Sequence, residues 1–208
     1  MVRTVFAKDI KLHELETIFN LREVDAENFF EEWQENLPET TQDEKRLLDR
    51  VKASYRNLIK YPPLLENAVK MVVISPLLDL CGFYQSPFRI STEPSVEIVS
   101  EDEGVIVKGQ IDVLVLNNDL WILVIESKKA EFSIEAARAQ ILVYMLRNAG
   151  TDKPTFGLIT NGGSFVFVKL FKQDTPLYAL SRMFSIINPG NELYSVLSIL
   201  KRLGCFFV

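Results

Sequence analysis

The residues best suited to chemistry are Asp112, in Gly109-Gln110-Ile111-Asp112, and Glu126 with Lys128, in Glu126-Ser127-Lys128 at the end of an apolar run. Two carboxylates and one ammonium brought together suit holding a divalent metal ion beside a phosphodiester. One His and two Cys leave few other ways to build a catalytic centre. Cys81 and Cys205 are isolated and lack metal-ligand spacing. His13 lies in an acidic segment far from every other candidate, where a surface position is the plainer reading.

Side chains alternate along a strand, so Glu126 and Lys128 share a face with Ile122 and Val124, while Leu123 and Ile125 fill the other. Such a strand should be central and covered on both sides. Two charges at its end are costly to desolvate unless each has a partner, and a bound cation is one such partner. Asp112 falls on the preceding strand if Asn117-Asn118-Asp119 is a hairpin turn. An odd number of unpaired loop residues then puts Asp112 on the face of Glu126; an even number puts it on the opposite face unless a bulge intervenes. Directly opposed side chains have Cβ atoms about 5 Å apart. Two carboxylates so placed repel, and Mg²⁺ or Mn²⁺ would relieve that. The alternative is a strand-end salt bridge among Asp112, Glu126 and Lys128 or Lys129.

The elements that must position these groups follow from pattern and punctuation. Residues 9–36 read as helical and acidic outside, with Leu12, Leu15, Ile18, Phe19, Phe29, Phe30 and Trp33 as buried candidates. Thr40-Thr41-Gln42-Asp43-Glu44 offers N-cap chemistry for a helix to about Tyr61, stopped by Pro62-Pro63. A further helix is expected over about Leu64–Leu80, kinked or broken by Pro76. Phe88–Lys128 reads as strands, with turns at Glu101-Asp102-Glu103-Gly104 and Asn117-Asn118-Asp119. Ser133 can cap a helix that Gly150 ends. Thr155–Thr160 is a short buried strand, and Asn161-Gly162-Gly163 turns into a partner at Ser164–Leu170. A last helix covers about Glu192–Leu203. The order predicts an α/β core with an antiparallel part, a right-handed parallel crossover over 121–160 and a helical N-terminal layer. Residues 1–62 are expected to form a helical extension packed on a core of residues 63–208.

Gln140 and Tyr144 share a helix face at i and i+4. Gln140 sits in a stretch apolar nearly all round, so its amide needs a partner, either at the strand end or in backbone. Glu66 and Lys70 form either an ordinary i,i+4 surface pair or part of the site.

Gly-x-x-Asp, Glu-x-Lys one strand later and Gln-x-x-x-Tyr on the next helix together resemble the PD-(D/E)XK nuclease superfamily. The resemblance is closest to its RecB-like branch and to the N-terminal nuclease domain of the R subunit of type I restriction enzymes. It rests on Gly109, Asp112, Glu126, Lys128, Gln140 and Tyr144, spans about residues 60–170, and is helped by Thr160-Asn161-Gly162. Residues 1–40 lie outside it, and the translocase that follows in restriction subunits is not among the 208 residues. The resemblance implies a restriction-endonuclease-like fold and Mg²⁺-dependent hydrolysis of DNA, less often RNA. It makes Asp112 and Glu126 metal ligands, with the Ser127 carbonyl as a third, and Lys128 the group that orients or deprotonates the attacking water. Gln140 would join Asp112, Glu126 and Lys128 as a catalytic residue, with Tyr144 and the extra carboxylate Glu66 in support.

Composition bounds the rest. Hydrophobic residues at 48% and charged residues at 25% are ordinary for a globular chain. No apolar run approaches the roughly eighteen residues of a membrane span, and no signal peptide is visible, so a reducing cytoplasm is expected. Net charge is −5, with residues 1–40 holding four Lys/Arg against ten Asp/Glu. Tight stand-alone nucleic-acid binders are usually more basic. The basic residues of the second helix (Lys45, Arg46, Arg50, Lys52, Arg56, Lys60) are interleaved with acids and read first as a solvated face. Two functions remain: a metal-dependent nuclease, acting alone, as a homodimer or with a partner subunit, or a catalytically quiet binding or regulatory subunit of the same fold.

Overall fold

The structure, a computed structural model, describes residues 3–206 except 27, 101–103, 118–119, 129–132, 149–152 and 173. The chain begins with β1 (Arg3–Phe6), α1 (Leu12–Phe19) and β2 (Arg22–Glu23), followed by a short 3₁₀ turn at Glu31–Trp33 and α2 (Gln42–Leu58). Next come α3 (Glu66–Val69), a π turn (Lys70–Ile74) and α4 (Ser75–Leu80). The strand-rich part holds β3 (Phe88–Thr92), β4 (Ser95–Ser100), β5 (Val105–Gln110), β6 (Val113–Asn117) and β7 (Leu120–Ser127). It leads to α5 (Ile134–Asn148), β8 (Thr155–Thr160), β9 (Ser164–Lys172), β10 (Pro176–Leu180), β11 (Phe184–Ser185) and α6 (Leu193–Cys205).

The strands form two sheets. The main sheet runs β2-β10-β9-β8-β7-β6-β3, with β11 paired to β9; the small one runs β1-β5-β4. β7 and β8 are parallel across α5, and β8 and β9 form the expected hairpin. Gly162 (φ +83°) turns it, while Asn161 Oδ1 accepts hydrogen bonds from the backbone N–H of Gly163 and Ser164. One face of the main sheet packs Val113, Val115, Leu123, Ile125 and Phe156 against α2, the helix over 66–80 and α6. The other packs Leu114, Leu116, Val124 and Val168 with α5. α5 also meets β4 of the small sheet. Its middle, residues 139–145, is buried all round, and a stretch so covered has no polar face to present.

The helical reading of residues 9–36 holds only for α1. Asn20 in the left-handed region (φ 49°) ends that helix, its N–H bonded to the Glu16 carbonyl. Residues 22–23 then join the main sheet beside β10, a pairing across more than 150 residues that no local pattern announces. Nor are all the acids of this segment outside. Glu32 is buried, and Lys169 Nζ meets its two carboxylate oxygens at 2.6 and 2.9 Å, tying the 3₁₀ turn to β9. The segment expected as a helical extension thus also contributes β1 and β2 to the sheets. The expected N-cap chemistry of α2 takes the form of a capping box: Glu44 N–H donates to Thr41 Oγ1, and Thr41 N–H to Glu44 Oε2.

Pro76 does not break its helix. Proline lacks an N–H and crowds the carbonyl four residues earlier. The turn before it widens instead, and Ser75 N–H bonds the Lys70 carbonyl. The expected strands of 88–128 divide between the sheets, since β4 and β5 pair with each other away from β3 and β6. The two crossings are stitched together by Ile111 N–H to the Pro94 carbonyl (3.1 Å) and Glu93 N–H to the Asp112 carbonyl (3.3 Å). The turn residues 101–103 and 118–119, Lys129 and Gly150 lie outside the described residues.

Candidate active site

Asp112 stands at the second crossing, immediately before β6, and Glu126 stands near the end of β7. Val113 pairs with Ile125, which places Asp112 next to Glu126 in the same register. The hairpin closes with Asn117 opposite Leu120, an even loop of two residues, which alone would turn the carboxylates to opposite faces. The register shifts between Val115 and Leu116, so that Val115 opposes Leu123 whereas Leu116 opposes Trp121. That β-bulge, with residue 122 extra on β7, returns Asp112 to the face of Glu126.

Four polar side chains run in sequence from the strand end into α5. Lys128 Nζ donates to Glu126 Oε1 and, at 3.0 Å, to Gln140 Oε1. Gln140 Nε2 donates to the Tyr144 hydroxyl at 2.8 Å. The lone amide of α5 thus finds its partners at the strand end. Tyr144 is buried, and burial first, then the nearby Glu126 charge, pushes its phenol above the ordinary value. Its ring explains Gly109. A Cβ there would lie 2.6 Å from Tyr144 Cε1 and 2.8 Å from Ala7 Cβ, so this position of β5 has no room for a side chain.

Asp112 is held differently. Its Oδ2 accepts the Ser127 backbone N–H at 2.6 Å, and its Oδ1 meets Lys70 Nζ at 2.9 Å. Lys70 Nζ also lies 3.0 Å from Glu66 Oε1. The i,i+4 pair is therefore not merely a surface pair. Lys70, which the sequence offered only as the partner of Glu66, links that acid to Asp112, and its side chain is 19% exposed. Lys128 N–H donates to the Thr160 carbonyl at 2.8 Å, so the end of β8 fixes the backbone of the Glu-x-Lys segment.

The charges respond to burial. Glu126 is 1% exposed; desolvation, then the Asp112 charge, raises its carboxyl to about 8 against the opposing pull of Lys128. Asp112 is raised by burial, although Lys70 and the Ser127 N–H act against this. For Glu66, burial is outweighed by hydrogen bonds with Lys70 and Asp112, and its carboxyl is lowered. Glu126 Oε2 and Ser127 Oγ are buried without a hydrogen-bond partner. Among the described residues no group of three or more His, Cys, Asp and Glu converges on one point; each carboxylate of this cluster takes a lysine instead. Two grooves flank the cluster. One, of about 450 Å³, is lined by Asn67, Lys70, Glu93 and Asp112. The other, of about 580 Å³, is lined by Lys8, Lys108, Gln140 and Tyr144.

The family model for the N terminus of the type I restriction enzyme R protein matches residues 19–175. The chain belongs to this family. The match takes in every residue of the cluster and leaves β1, α1 up to its last residue, β10, β11 and α6 outside. As a restriction enzyme R protein domain of PD-(D/E)XK type, it carries the α/β architecture with mixed sheets expected of that superfamily. Comparison with individually curated proteins gives no match. No helix among the described residues is long and apolar enough to cross a membrane.

Two outcomes test this arrangement. Gly109→Ala should destabilise the protein by about 1–3 kcal/mol through overpacking against Tyr144; an unchanged denaturation midpoint would show that the ring can swing aside. Glu126 carries the second. Its folded-state value lies above the unfolded one, so the ionised form costs stability, and the cost grows as pH rises from about 4.5 to about 8 and then levels off. With chelator present, the stability of Glu126→Gln relative to wild type should climb across that window, by up to about 1.4 kcal/mol per pH unit. A difference that stays flat with pH would remove the buried carboxylate from the account.

Proposed function

We propose that the chain is a divalent-metal-dependent nuclease domain that hydrolyses phosphodiester bonds in DNA. The observation that carries this reading is the buried, unpartnered Glu126 Oε2 beside Asp112, at a strand end where Lys128 and Gln140 are already fixed. An orphaned carboxylate oxygen in a set of hard oxygen donors suits Mg²⁺, with Mn²⁺ as substitute. Asp112, Glu126 and the Ser127 carbonyl would hold the ion. When bound, it would supply charge neutralisation at the phosphate and a lowered pKa for an attacking water.

The chain's own groups do the rest. Lys128, hydrogen-bonded to Glu126 and Gln140, would orient the attacking water and offset charge developing on the phosphate. Gln140 holds that ammonium in position and is itself anchored by Tyr144. The grooves beside the cluster would give room for a nucleic-acid strand. DNA rather than RNA is proposed because the family is that of a restriction enzyme subunit. The same membership supports work with partner subunits, and a second copy of the chain would allow both strands to be cut.

A second reading, a catalytically quiet subunit of the same fold, is favoured by one observation: lysines neutralise the carboxylates internally. Supercoiled plasmid incubated with Mg²⁺ or Mn²⁺ separates the two. The nuclease reading expects nicked or linear product, abolished by chelator and reduced on the order of 100-fold or more in Glu126→Gln and Lys128→Ala. A wild-type protein that binds DNA and Mn²⁺ yet leaves the plasmid intact would establish the quiet one.

A further inference from the structure

Lys70 has no part in the chemistry proposed above, yet it occupies the most charged contact of the cluster. Its Nζ bridges Glu66 Oε1 at 3.0 Å and Asp112 Oδ1 at 2.9 Å, and Asp112 is itself only 14% exposed. An ammonium between two carboxylates sits where a cation is electrostatically favoured. We propose that Lys70 is the resting occupant of the site's cation position, neutralising Glu66 and Asp112 until a divalent ion displaces it. The inference rests on the metal-dependent reading.

Three features carry it. First, both oxygens of Asp112 are engaged, Oδ2 by the Ser127 N–H and Oδ1 by Lys70. An ion that takes Oδ1 does so at the expense of the ammonium, because a divalent cation and an ammonium a few ångströms apart repel strongly in a part-buried site. Second, Lys70 has somewhere to go. It lines the groove of about 450 Å³ together with Thr92 and Glu93, so its flexible stem can swing toward open space and a third carboxylate. Third, the metal-free cluster needs a cation. A single Nζ reaches an oxygen of each, Glu66 at 3.0 Å and Asp112 at 2.9 Å, so the two carboxylates are close neighbours that would repel if ionised and unbridged. Lys70 is thus a positioning residue: it holds the two acids together in the absence of metal, and it weakens metal affinity by having to leave.

The test uses the full chain, with MnCl₂ as the probe. Isothermal titration should show Lys70→Met binding Mn²⁺ about ten-fold or more tightly than wild type, since the competing ammonium is gone. Lys70→Arg, which keeps the charge, should not gain affinity. In chelator, Lys70→Met should melt below wild type, and Mn²⁺ should raise its melting temperature by more. Reductive methylation of wild type, read by peptide mass spectrometry, serves where that variant fails to fold: Lys70 should be protected in chelator and modified several-fold faster with Mn²⁺. Mn²⁺ binding by Lys70→Met but not by wild type would support the proposal in its strongest form. Mn²⁺ binding by wild type with no gain in Lys70→Met, or with Lys70 labelling unchanged, would overturn displacement and leave the metal-dependent reading standing. No Mn²⁺ binding by either protein would overturn both.

Discussion

A carboxylate with 1% exposure, at the end of a strand covered on both faces, is costly to ionise unless its surroundings supply charge and hydrogen bonds. Glu126 receives only part of that supply. Lys128 takes one oxygen and the other has no partner, while burial, then the Asp112 charge, pushes the carboxyl up to about 8. Much of the neighbouring structure serves this compromise. Lys128 gives its ammonium to Glu126 and Gln140, and Gln140 would be a stranded amide in an apolar stretch of helix without Lys128 and Tyr144. Tyr144, in turn, fits only because β5 presents a glycine to its ring. The cluster is one interdependent set, which is why its members span a strand, a helix and a strand of the other sheet.

The architecture makes that set possible by surrounding α5. The helix lies between the main sheet and the small one, so the polar groups of its buried middle, Gln140 and Tyr144, have no solvent to turn to and must be satisfied within the protein. The small sheet exists because the chain leaves the main sheet after β3 and returns at β6. The return places Asp112 where the two crossings meet. An aspartate within a regular strand would have to share its backbone with ladder partners on both sides. At the crossing, its side chain is free to accept the Ser127 N–H and so to lock the end of β7 to the start of β6.

Beside this frame, the Glu66–Lys70–Asp112 bridge is the part of the cluster held by a long, flexible side chain. It lies beside a groove, its helix passes through a π turn at Lys70 itself, and a lysine stem offers more freedom than a backbone-held carboxylate. π turns of this kind are often found at functional sites. Here the immediate cause is Pro76, whose missing N–H the wider turn accommodates.

The sequence by itself determined which side chains could do chemistry and which elements carry them. Glu126 and Lys128 share a face because strand side chains alternate, and Gln140 and Tyr144 share one because a helix turns every 3.6 residues. These periodicities are local and could be read without coordinates, as could the N-cap chemistry of α2 and the Asn161-Gly162-Gly163 turn. What required the tertiary structure was everything set by residues distant in the chain. Whether Asp112 faces Glu126 hinged on loop parity, which the sequence left open. The even loop would have separated them, and a one-residue bulge beside Leu116, without a signature in the residues, brought them back. The sequence left the Glu66–Lys70 pair open between an ordinary helix pair and part of the site, because the second partner of Lys70 lies 42 residues away. The helix expected through residues 20–36 gave way to β2 and a 3₁₀ turn held by Lys169, for the same reason. Propensity acts within a few residues, whereas register, sheet membership and buried ion pairs are decided by which distant surfaces meet.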